Sequence, residues 1–318
     1  MHTTSLPKYD RDWLKCCISK ENVDRRIERL SDTFNLPYDY ELAWLLKAVT
    51  CIDLTTLAGD DTATNVNRLC IKATHPIKDI SFSLSCNEEE RKMLQNIHCA
   101  AVCVYPSRVR DAVRQLKLLN SEIPVASVAT GFPSGQYPLV TRLAEITHCI
   151  DEGAREIDVV IDRSLIFAGK WEELYEEINQ MKKTCGEVHM KTILAVGECG
   201  SLENVYKASM AAMMAGSDFI KTSTGKETIN ATLQYGLVMC RAIREFHRKT
   251  GIKVGLKPAG GLKTSRDALL WLALVKQELG NDWLTPSMFR IGASSLLKNL
   301  DERICTLELK LREPLKTD

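Results

Sequence analysis

Short apolar runs alternate with longer amphipathic stretches through most of this chain. The short runs are rich in valine, isoleucine and alanine, which is typical of strands buried in a parallel sheet. Alternation with helical stretches predicts a parallel sheet covered by helices. The predicted strands cover residues 49–53, 100–105, 125–129, 156–160, 190–194, 219–221, 254–257 and 289–291. Helices are predicted from about residue 171, over 202–214 and over 266–279.

Eight strand–helix units in a chain of 318 residues predict an α/β fold, a (β/α)8 TIM barrel with an N-terminal helical extension. An open doubly wound sheet is the alternative fold. That fold usually carries a glycine-rich turn after its first strand, and no G-x-G-x-x-G pattern follows Asp53 here. The expected organisation is a helical extension at residues 1–44, the barrel at 45–303 and a tail at 304–318.

The extension contains apolar residues at helical spacing, with arginines on the other faces. The apolar residues are Val23, Ile27 and Leu30, and the arginines are Arg25, Arg26 and Arg29. A basic interaction helix is one interpretation, and a helix that packs against the barrel is the favoured one. A second helix is predicted from Tyr40 to Ala48, and residues 76–97 are predicted to form a long loop with one helical turn.

Composition narrows the classes of function. The formal net charge is +1, so no global electrostatic argument supports a nucleic-acid or membrane partner. Residues 1–15 lack the apolar core of a signal peptide, and the longest apolar run, 268–275, is too short to span a bilayer. The 12 cysteines contain no C-x2-C pair, which indicates reduced thiols in the cytoplasm, with the nucleus as a further compartment. The six histidines form no H-x-H or H-E-x-x-H pattern, so no metal site is expected.

The stretch FIKTSTG at 219–225 is the candidate centre of the chemistry. It predicts a short strand that ends in Lys221, followed by a polar loop that ends in Gly225. Burial disfavours an ammonium ion and favours the neutral amine, which is a nucleophile toward carbonyl carbon. Taken alone, the stretch favours a lysine that extends to the rim or pairs with a carboxylate.

A second stretch, VGLKPAGG at 254–261, has the same arrangement of strand, lysine and glycine. Its presence favours a reactive lysine over one that only extends to the rim or forms an ion pair. It ends a strand in Lys257 and continues into a glycine pair. Two lysines at the same ends of neighbouring strands repel each other, which favours loss of a proton from one of them. A lysine in that state can form a Schiff base. Gly255 shares a face with Lys257, and its small size predicts free space inside the barrel.

Asp158 lies within an apolar strand, where an unpaired carboxylate would be costly. Asp158, Lys221 and Lys257 lie on predicted strands four, six and seven, and the carboxyl ends of barrel strands converge on one mouth. The structural alternative for Asp158 is a buried ion pair with a lysine, and this alternative is compatible with catalysis. Lys191 on strand five is a further lysine near the mouth, with a supporting role at most.

Turns rich in glycine and serine follow strands seven and eight, where barrel enzymes commonly bind phosphate at a helix N-terminus. The candidate phosphate-binding residues are Gly260, Gly261, Gly292, Ser294 and Ser295, with Gly225 after strand six as a further donor. Each glycine-containing turn alone could be a simple turn. Their joint position after strands seven and eight favours a phosphate site.

Seven motifs together resemble the deoxyribose-phosphate aldolases, a family of class I aldolases that use a lysine Schiff base. The motifs are IDLTTLAGDDT (52–62), AVCVYP (101–106), GFPSG (131–135), EIDVVI (156–161), FIKTSTGKET (219–228), KPAGG (257–261) and IGASSLL (291–297). The similarity covers roughly residues 43–303. Many bacterial members end in a tyrosine that reaches the site, whereas the last tyrosine here is Tyr235. The extended N-terminus is more similar to the longer eukaryotic members.

The resemblance implies reversible cleavage of 2-deoxy-D-ribose 5-phosphate to D-glyceraldehyde 3-phosphate and acetaldehyde, in the catabolism of deoxyribose phosphate. It implies that Lys221 forms the Schiff base, that Asp158 donates or accepts protons, and that Lys257 tunes Lys221. Cys103 would line the site near Asp158 without taking part in chemistry, and its alternative role is a core thiol. A small phosphosugar is the implied partner, no cofactor is expected, and a homo-oligomer is compatible with the sequence.

Two other classes of function stay open at this point. One is a phosphosugar isomerase or epimerase that uses the lysines for electrostatics alone. The other is a non-catalytic scaffold that binds a partner through residues 1–44. The joint presence of Asp158, Lys221 and Lys257 argues against a scaffold as the sole role.

Overall fold

The computed structural model describes residues 6–77, 88–89, 92 and 96–312. Eight strands in this part of the chain run parallel; β1 to β7 pair in sequence order, and β1 also pairs with β8. Isolated bridges connect Leu256 of β7 to Phe289, just before β8, and Ala259, just after β7, to Gly292 of β8, and they close the barrel. The strands are β1 (Ile52–Thr55), β2 (Ala101–Val104), β3 (Val125–Ala129), β4 (Glu156–Val160), β5 (His189–Ile193), β6 (Phe219–Lys221), β7 (Gly255–Lys257) and β8 (Ile291–Ala293). The predicted (β/α)8 TIM barrel is confirmed.

Helices cover the outside of the barrel. They are α1 (Lys20–Thr33), α2 (Tyr38–Thr50), α3 (Ala63–Thr74), α4 (Val109–Leu118), α5 (Leu139–Asp151), α6 (Ser164–Phe167), α7 (Trp171–Cys185), α8 (Leu202–Met214), α9 (Leu233–Thr250), α10 (Ser265–Leu279) and α11 (Leu296–Arg312). Several begin at a serine or threonine whose hydroxyl accepts a backbone N–H of the first turn, which stabilises the helix start. These N-caps are Ser19, Thr62, Ser201, Thr232 and Thr264.

Two predicted strands are displaced by two or more residues. The first was expected at residues 49–53, but Val49 and Thr50 end α2 and the strand runs from Ile52 to Thr55. The last was expected at 289–291, but β8 covers 291–293, so Gly292 lies within the strand rather than after it. The first error arises because a short apolar run does not distinguish the buried end of a helix from a buried strand. The second arises because Phe289 forms only an isolated bridge to Leu256, and pairing with β1 begins at Ile291. The predictions for β3, β4 and α8 match the structure residue for residue.

The extension packs on the barrel. Val23, Ile27 and Leu30 of α1 are buried, and Arg26 donates to Glu278 of α10 at 3.0 and 3.2 Å. This packing supports a structural helix over a free basic one. The helix α11 continues through the predicted boundary at 303, and Arg303 pairs with Glu41 of α2. The division into extension, barrel and tail stays a prediction.

Part of the loop predicted at residues 76–97 lies outside the described residues, because 78–87, 90–91 and 93–95 are not described. Residues 313–318 of the tail lie outside them as well. Among the described residues, no helix combines the length and apolar character needed to cross a membrane.

The barrel interior has an apolar half and a charged half. The side chains of β2 and β3 form the apolar half, which consists of Ala101, Cys103, Ala126 and Val128. Strands β1 and β4 to β7, together with Arg290 just before β8, contribute charged side chains that are fully or almost fully buried. Because buried charges require partners, this half of the interior is where a specific polar site is expected.

Candidate active site

Asp158 lies at the centre of the charged half and contacts three lysines. Its Oδ1 accepts a hydrogen bond from Lys191 at 3.0 Å, and its Oδ2 accepts from Lys221 at 2.8 Å and from Lys257 at 2.7 Å. The side chain is fully buried. The lysines that the sequence predicted at the mouth therefore meet at one carboxylate.

The sheet register explains this meeting. Lys221 is directly opposite Lys257 on β6 and β7, and Asp158 is directly opposite Lys191 on β4 and β5. Opposite residues of neighbouring strands have side chains on the same face. All four side chains therefore point into the barrel. Lys191 is opposite Phe219, so in this register Lys221 and Lys257 lie two residues nearer the mouth than the pair of Asp158 and Lys191.

A second tier of charges, for which the sequence predicted no role, lies below Asp158. Asp53 accepts from Lys257 at 2.5 Å and from Arg290 at 2.6 Å. Glu156 accepts from Lys191 at 2.5 Å and from Arg290 at 2.8 and 3.1 Å. The available signal was the presence of Asp53, Glu156 and Arg290 inside apolar strand motifs, where charges are costly without partners.

The two tiers form one network of seven buried groups, with three carboxylates and four cations. It therefore carries an excess of one positive charge when every group is ionised. Burial raises the pKa of the Asp158 carboxyl, but the lysines around it outweigh burial and hold that pKa well below its usual range. Burial lowers the pKa of Lys257, but the carboxylates of Asp158 and Asp53 outweigh burial and raise it above its usual value. Both groups are therefore charged at neutral pH.

Lys221 differs from the other network residues in its access to solvent space. It lines a cavity of about 400 Å³ at the mouth of the barrel. Asp158, Lys191 and Lys257 are not among the described residues that line this cavity. A substrate in the cavity would meet the amine of Lys221 before any other group of the network.

The cavity is formed by the loops after β1, β6, β7 and β8. All six glycine and serine residues predicted to bind phosphate line it, namely Gly225, Gly260, Gly261, Gly292, Ser294 and Ser295. The serines are exposed and precede α11, whose N-terminal amides favour an anion. Thr55, Lys226 and Lys263 also line the cavity. Thr55 and Lys226 lie within the motifs IDLTTLAGDDT and FIKTSTGKET, but no role was predicted for these three residues because nothing in the sequence places them beside the phosphate turns.

Two predicted site residues lie elsewhere. Cys103 is fully buried in the apolar half, where burial and then the charge of Asp158 raise the pKa of its thiol. Lys191 lies beneath Asp158, and the carboxylates around it raise its pKa above the usual value despite burial. Neither is found among the described cavity-lining residues. Cys103 therefore has the setting of a neutral thiol and Lys191 that of a supporting cation.

Two glycines on the strands allow the network to pack. A Cβ on Gly292 would lie 3.2 Å from Cε of Lys257 and 2.9 Å from Cβ of Ala259, so a side chain there would disturb the path of Lys257. A Cβ on Gly255 would lie 2.5 Å from the ring of Phe219. The space predicted beside Gly255 is therefore filled by Phe219.

Comparison with known proteins agrees with this geometry. A family model described as DeoC/LacD family aldolase matches residues 47–301. The chain belongs to the DeoC/LacD family of aldolases. Among curated proteins, this aldolase is 57% identical to one from Bos taurus over 297 residues, which are 93% of this chain and 92% of that protein. It is 56% identical to one from Homo sapiens, with the same coverage. Both relatives are named deoxyribose-phosphate aldolase.

Solved structures share the fold of this aldolase. One is the crystal structure of a putative deoxyribose-phosphate aldolase from Toxoplasma gondii, with 22% identity and a TM-score of 0.71, covering 86% of this chain and 98% of that one. At this identity the likeness shows the fold alone. Membership of an aldolase family decides against the isomerase and scaffold alternatives.

Proposed function

We propose that this aldolase is a deoxyribose-phosphate aldolase and that Lys221 is its Schiff-base residue. The observation that carries the assignment is the position of Lys221, which lines the mouth cavity while its amine lies 2.8 Å from the buried Asp158. The substrate class is supported by the names of the curated relatives from Bos taurus, Mus musculus and Homo sapiens. The reaction is the reversible cleavage of 2-deoxy-D-ribose 5-phosphate to D-glyceraldehyde 3-phosphate and acetaldehyde.

The first half of the reaction forms an iminium ion. The neutral amine of Lys221 adds to the aldehyde carbon C1 of the open-chain sugar, and the resulting carbinolamine loses water. The iminium then accepts the electron pair of the C2–C3 bond. A base removes the proton of the C3 hydroxyl, and cleavage releases D-glyceraldehyde 3-phosphate and leaves an enamine on Lys221.

The second half returns the enzyme to its starting state. A proton is added to C2 of the enamine, and water then hydrolyses the iminium to release acetaldehyde and free Lys221. Asp158 is proposed to accept the first proton and to donate the second, directly or through a water molecule. Its two oxygens contact the amines of Lys191, Lys221 and Lys257, and these cations stabilise the carboxylate before it accepts the first proton and after it donates the second.

The phosphate is proposed to bind at the end of the cavity formed by the loops after β7 and β8. Gly260 and Gly261 have φ values of +77° and +86°, a left-handed conformation that glycine adopts without strain. The amides of this turn, the hydroxyls of Ser294 and Ser295, and the N-terminus of α11 would contact the anion. A substrate that spans the cavity would then reach Lys221 with its carbonyl carbon.

The cellular compartment and the oligomeric state of the protein are further proposals. The cysteines within the described residues are free thiols, which supports a reducing compartment such as the cytoplasm, with the nucleus as a second location. A homo-oligomer is proposed because a related structure, from Aeropyrum pernix, is described as tetrameric. Light scattering coupled to size-exclusion chromatography measures the assembly directly.

Borohydride reduction with peptide mapping tests the function. The protein is treated with 2-deoxy-D-ribose 5-phosphate and sodium borohydride, and the reduced adduct is expected on Lys221. Lys221→Ala is expected to lose both the adduct and aldol cleavage, and Lys221→Arg to fail equally because guanidinium is not a nucleophile. Lys170→Ala, at an exposed lysine of the α6–α7 loop, is the matched control. An adduct on another lysine, or one that persists in Lys221→Ala, would refute the assignment.

A further inference from the structure

Glu227 holds the turn that follows β6. Its carboxylate accepts the backbone N–H of Thr224 at 2.9 and 3.2 Å and the N–H of Gly225 at 3.1 Å. Only 9% of its surface is exposed. A carboxylate that accepts several backbone N–H groups forms charge-assisted hydrogen bonds, which are stronger than neutral ones. The turn is therefore fixed by a side chain to which the reaction assigns no role.

This turn also connects the loops around the cavity. Lys226, which lies between Gly225 and Glu227, donates from Nζ to the carbonyl of Leu57 in the loop after β1 at 2.9 Å. On the other side, Asn230 donates to the carbonyl of Glu227 at 2.8 Å. The Asn230 side chain packs against Gly260, since its Oδ1 would lie 2.7 Å from a Cβ at that position. Movement of the turn would therefore disturb the loops after β1 and β7.

The orientation of the turn decides which of its groups face the cavity. Thr224, Gly225 and Lys226 line the cavity, but Glu227 is not among its described lining residues. The amides of Thr224 and Gly225 donate to Glu227 and are therefore turned away from an anion in the cavity. The charged group of this turn that can attract a phosphate is the cationic side chain of Lys226.

We propose that Glu227 is a positioning residue that sets the preference for the phosphorylated sugar, because it holds the turn that presents Lys226 to the phosphate. This inference rests on the proposed function. Without the carboxylate, two amides lose their acceptor and the turn can adopt other conformations. Lys226 then has to be ordered when the substrate binds, and that ordering weakens phosphate recognition. Lys221 keeps its place, because Asp158 and not this turn holds its amine.

Steady-state kinetics with two sugars tests the inference. For Glu227→Ala, KM for 2-deoxy-D-ribose 5-phosphate is expected to rise about tenfold. A rise of this size corresponds to the loss of roughly one charge-assisted hydrogen bond. The kcat/KM for unphosphorylated 2-deoxyribose is expected to stay within about twofold, since the ordering cost falls on phosphate recognition alone. Glu227→Gln keeps an acceptor oxygen and is expected to show a smaller rise in KM. Glu173→Ala, at a half-exposed glutamate of α7, is the matched control.

A double-mutant cycle tests whether Glu227 acts through Lys226. Lys226→Met alone is expected to raise KM for the phosphosugar, and Glu227→Ala is expected to add little to it, because the effects of coupled residues are not additive. Full additivity would overturn the positioning role. An equal loss of kcat/KM for both sugars would overturn it as well, and so would an unchanged KM for the phosphosugar. If Glu227→Ala does not fold, Glu227→Gln decides, and an unchanged KM in that variant refutes the inference.

The borohydride adduct with acetaldehyde separates this inference from the proposed function. Acetaldehyde carries no phosphate, so the parent and Glu227→Ala are expected to form the adduct on Lys221 to the same extent. Absence of the adduct in the parent would refute the proposed function itself. Presence of the adduct together with an unchanged preference for the phosphosugar would refute the role of Glu227 alone.

Discussion

Lys221 and Lys257 donate to the same oxygen atom, Oδ2 of Asp158, at 2.8 and 2.7 Å. The two lysines are direct neighbours in the sheet, so both amines are held close to one carboxylate. Since the network around them has one more cation than carboxylate, the loss of one proton balances its charge. Of the described network residues, Lys221 is the one beside the cavity, and the amine that adds to a carbonyl must lack that proton.

Lys257 is expected to tune the reactivity of Lys221. Lys257→Met keeps most of the side-chain volume and removes the charge, so the repulsion between the two amines disappears. The limb of the kcat/KM profile that reports amine deprotonation is then expected to move to higher pH. Activity near neutral pH falls by about tenfold for each unit of movement, and part of it returns at alkaline pH.

The alternative role of Lys257 is structural, since it pairs with both Asp53 and Asp158. Removal of one partner from a buried ion pair destabilises a protein under either role. The melting temperature of Lys257→Met is therefore expected to fall in both cases, and the pH–rate profile is the measurement that separates them. A limb that stays at the parent pH, with lower activity throughout, would leave Lys257 a purely structural residue.

Substitution of Ser294 tests the phosphate end of the cavity. Ser294→Asp introduces a negative charge before α11, where the phosphate is proposed to bind. KM for 2-deoxy-D-ribose 5-phosphate is expected to rise far more than KM for 2-deoxyribose, because like charges repel. Ser121→Asp, in the loop between α4 and β3 at the opposite end of the barrel, is the matched control. Equal effects of Ser294→Asp on both sugars would remove the case for a phosphate site at this position.

Arg290 is expected to contribute strongly to stability. It contacts Asp53 and Glu156 in the buried lower tier, so Arg290→Met leaves both carboxylates short of a partner. The free energy of unfolding is expected to fall by about 3–5 kcal/mol, as measured by denaturant titration. Arg110→Met breaks the exposed pair with Glu152 and is expected to leave stability unchanged within error. Equal stability of the two variants would mean that the buried pairs contribute no more than exposed ones.

The buried carboxylates predict a loss of stability in acid. The cationic partners of Asp53, Glu156 and Asp158 hold the pKa values of these groups below their usual range against the effect of burial. A carboxyl whose pKa is lower in the folded state stabilises the fold above its unfolded pKa. This stabilisation is therefore complete above about pH 5 and decreases as pH falls through about 4, the unfolded value. Melting temperatures of the parent and of Asp53→Asn measure it, and the difference between the two is expected to shrink from pH 6 to pH 3. A constant difference would exclude this linkage.

Local sequence patterns determined most of the strands and helices of this protein and most of the residues at the mouth of its barrel. Alternation between buried strands and amphipathic helices predicted the barrel, and β3, β4 and α8 were predicted with their observed bounds. Lysines at strand ends and glycine pairs after strands are also local signals, so Lys221, Lys257 and the loops that line the cavity could be found without coordinates. The first strand was misplaced because its apolar run permits two local structures, and β8 was misplaced because its pairing with β1 begins at Ile291 rather than Phe289.

Only the tertiary structure decided which charges meet. Arg290 and Asp53 are 237 residues apart in sequence, and they contact each other because closure of the barrel brings β8 beside β1. Glu227 likewise has the composition of an ordinary loop glutamate, and its role depends on the turn that folds over its carboxylate. Periodicity reports which side of an element is buried, but it holds no information about the partner on that side. The choice of partner depends on register and closure, which the packing of the whole barrel determines.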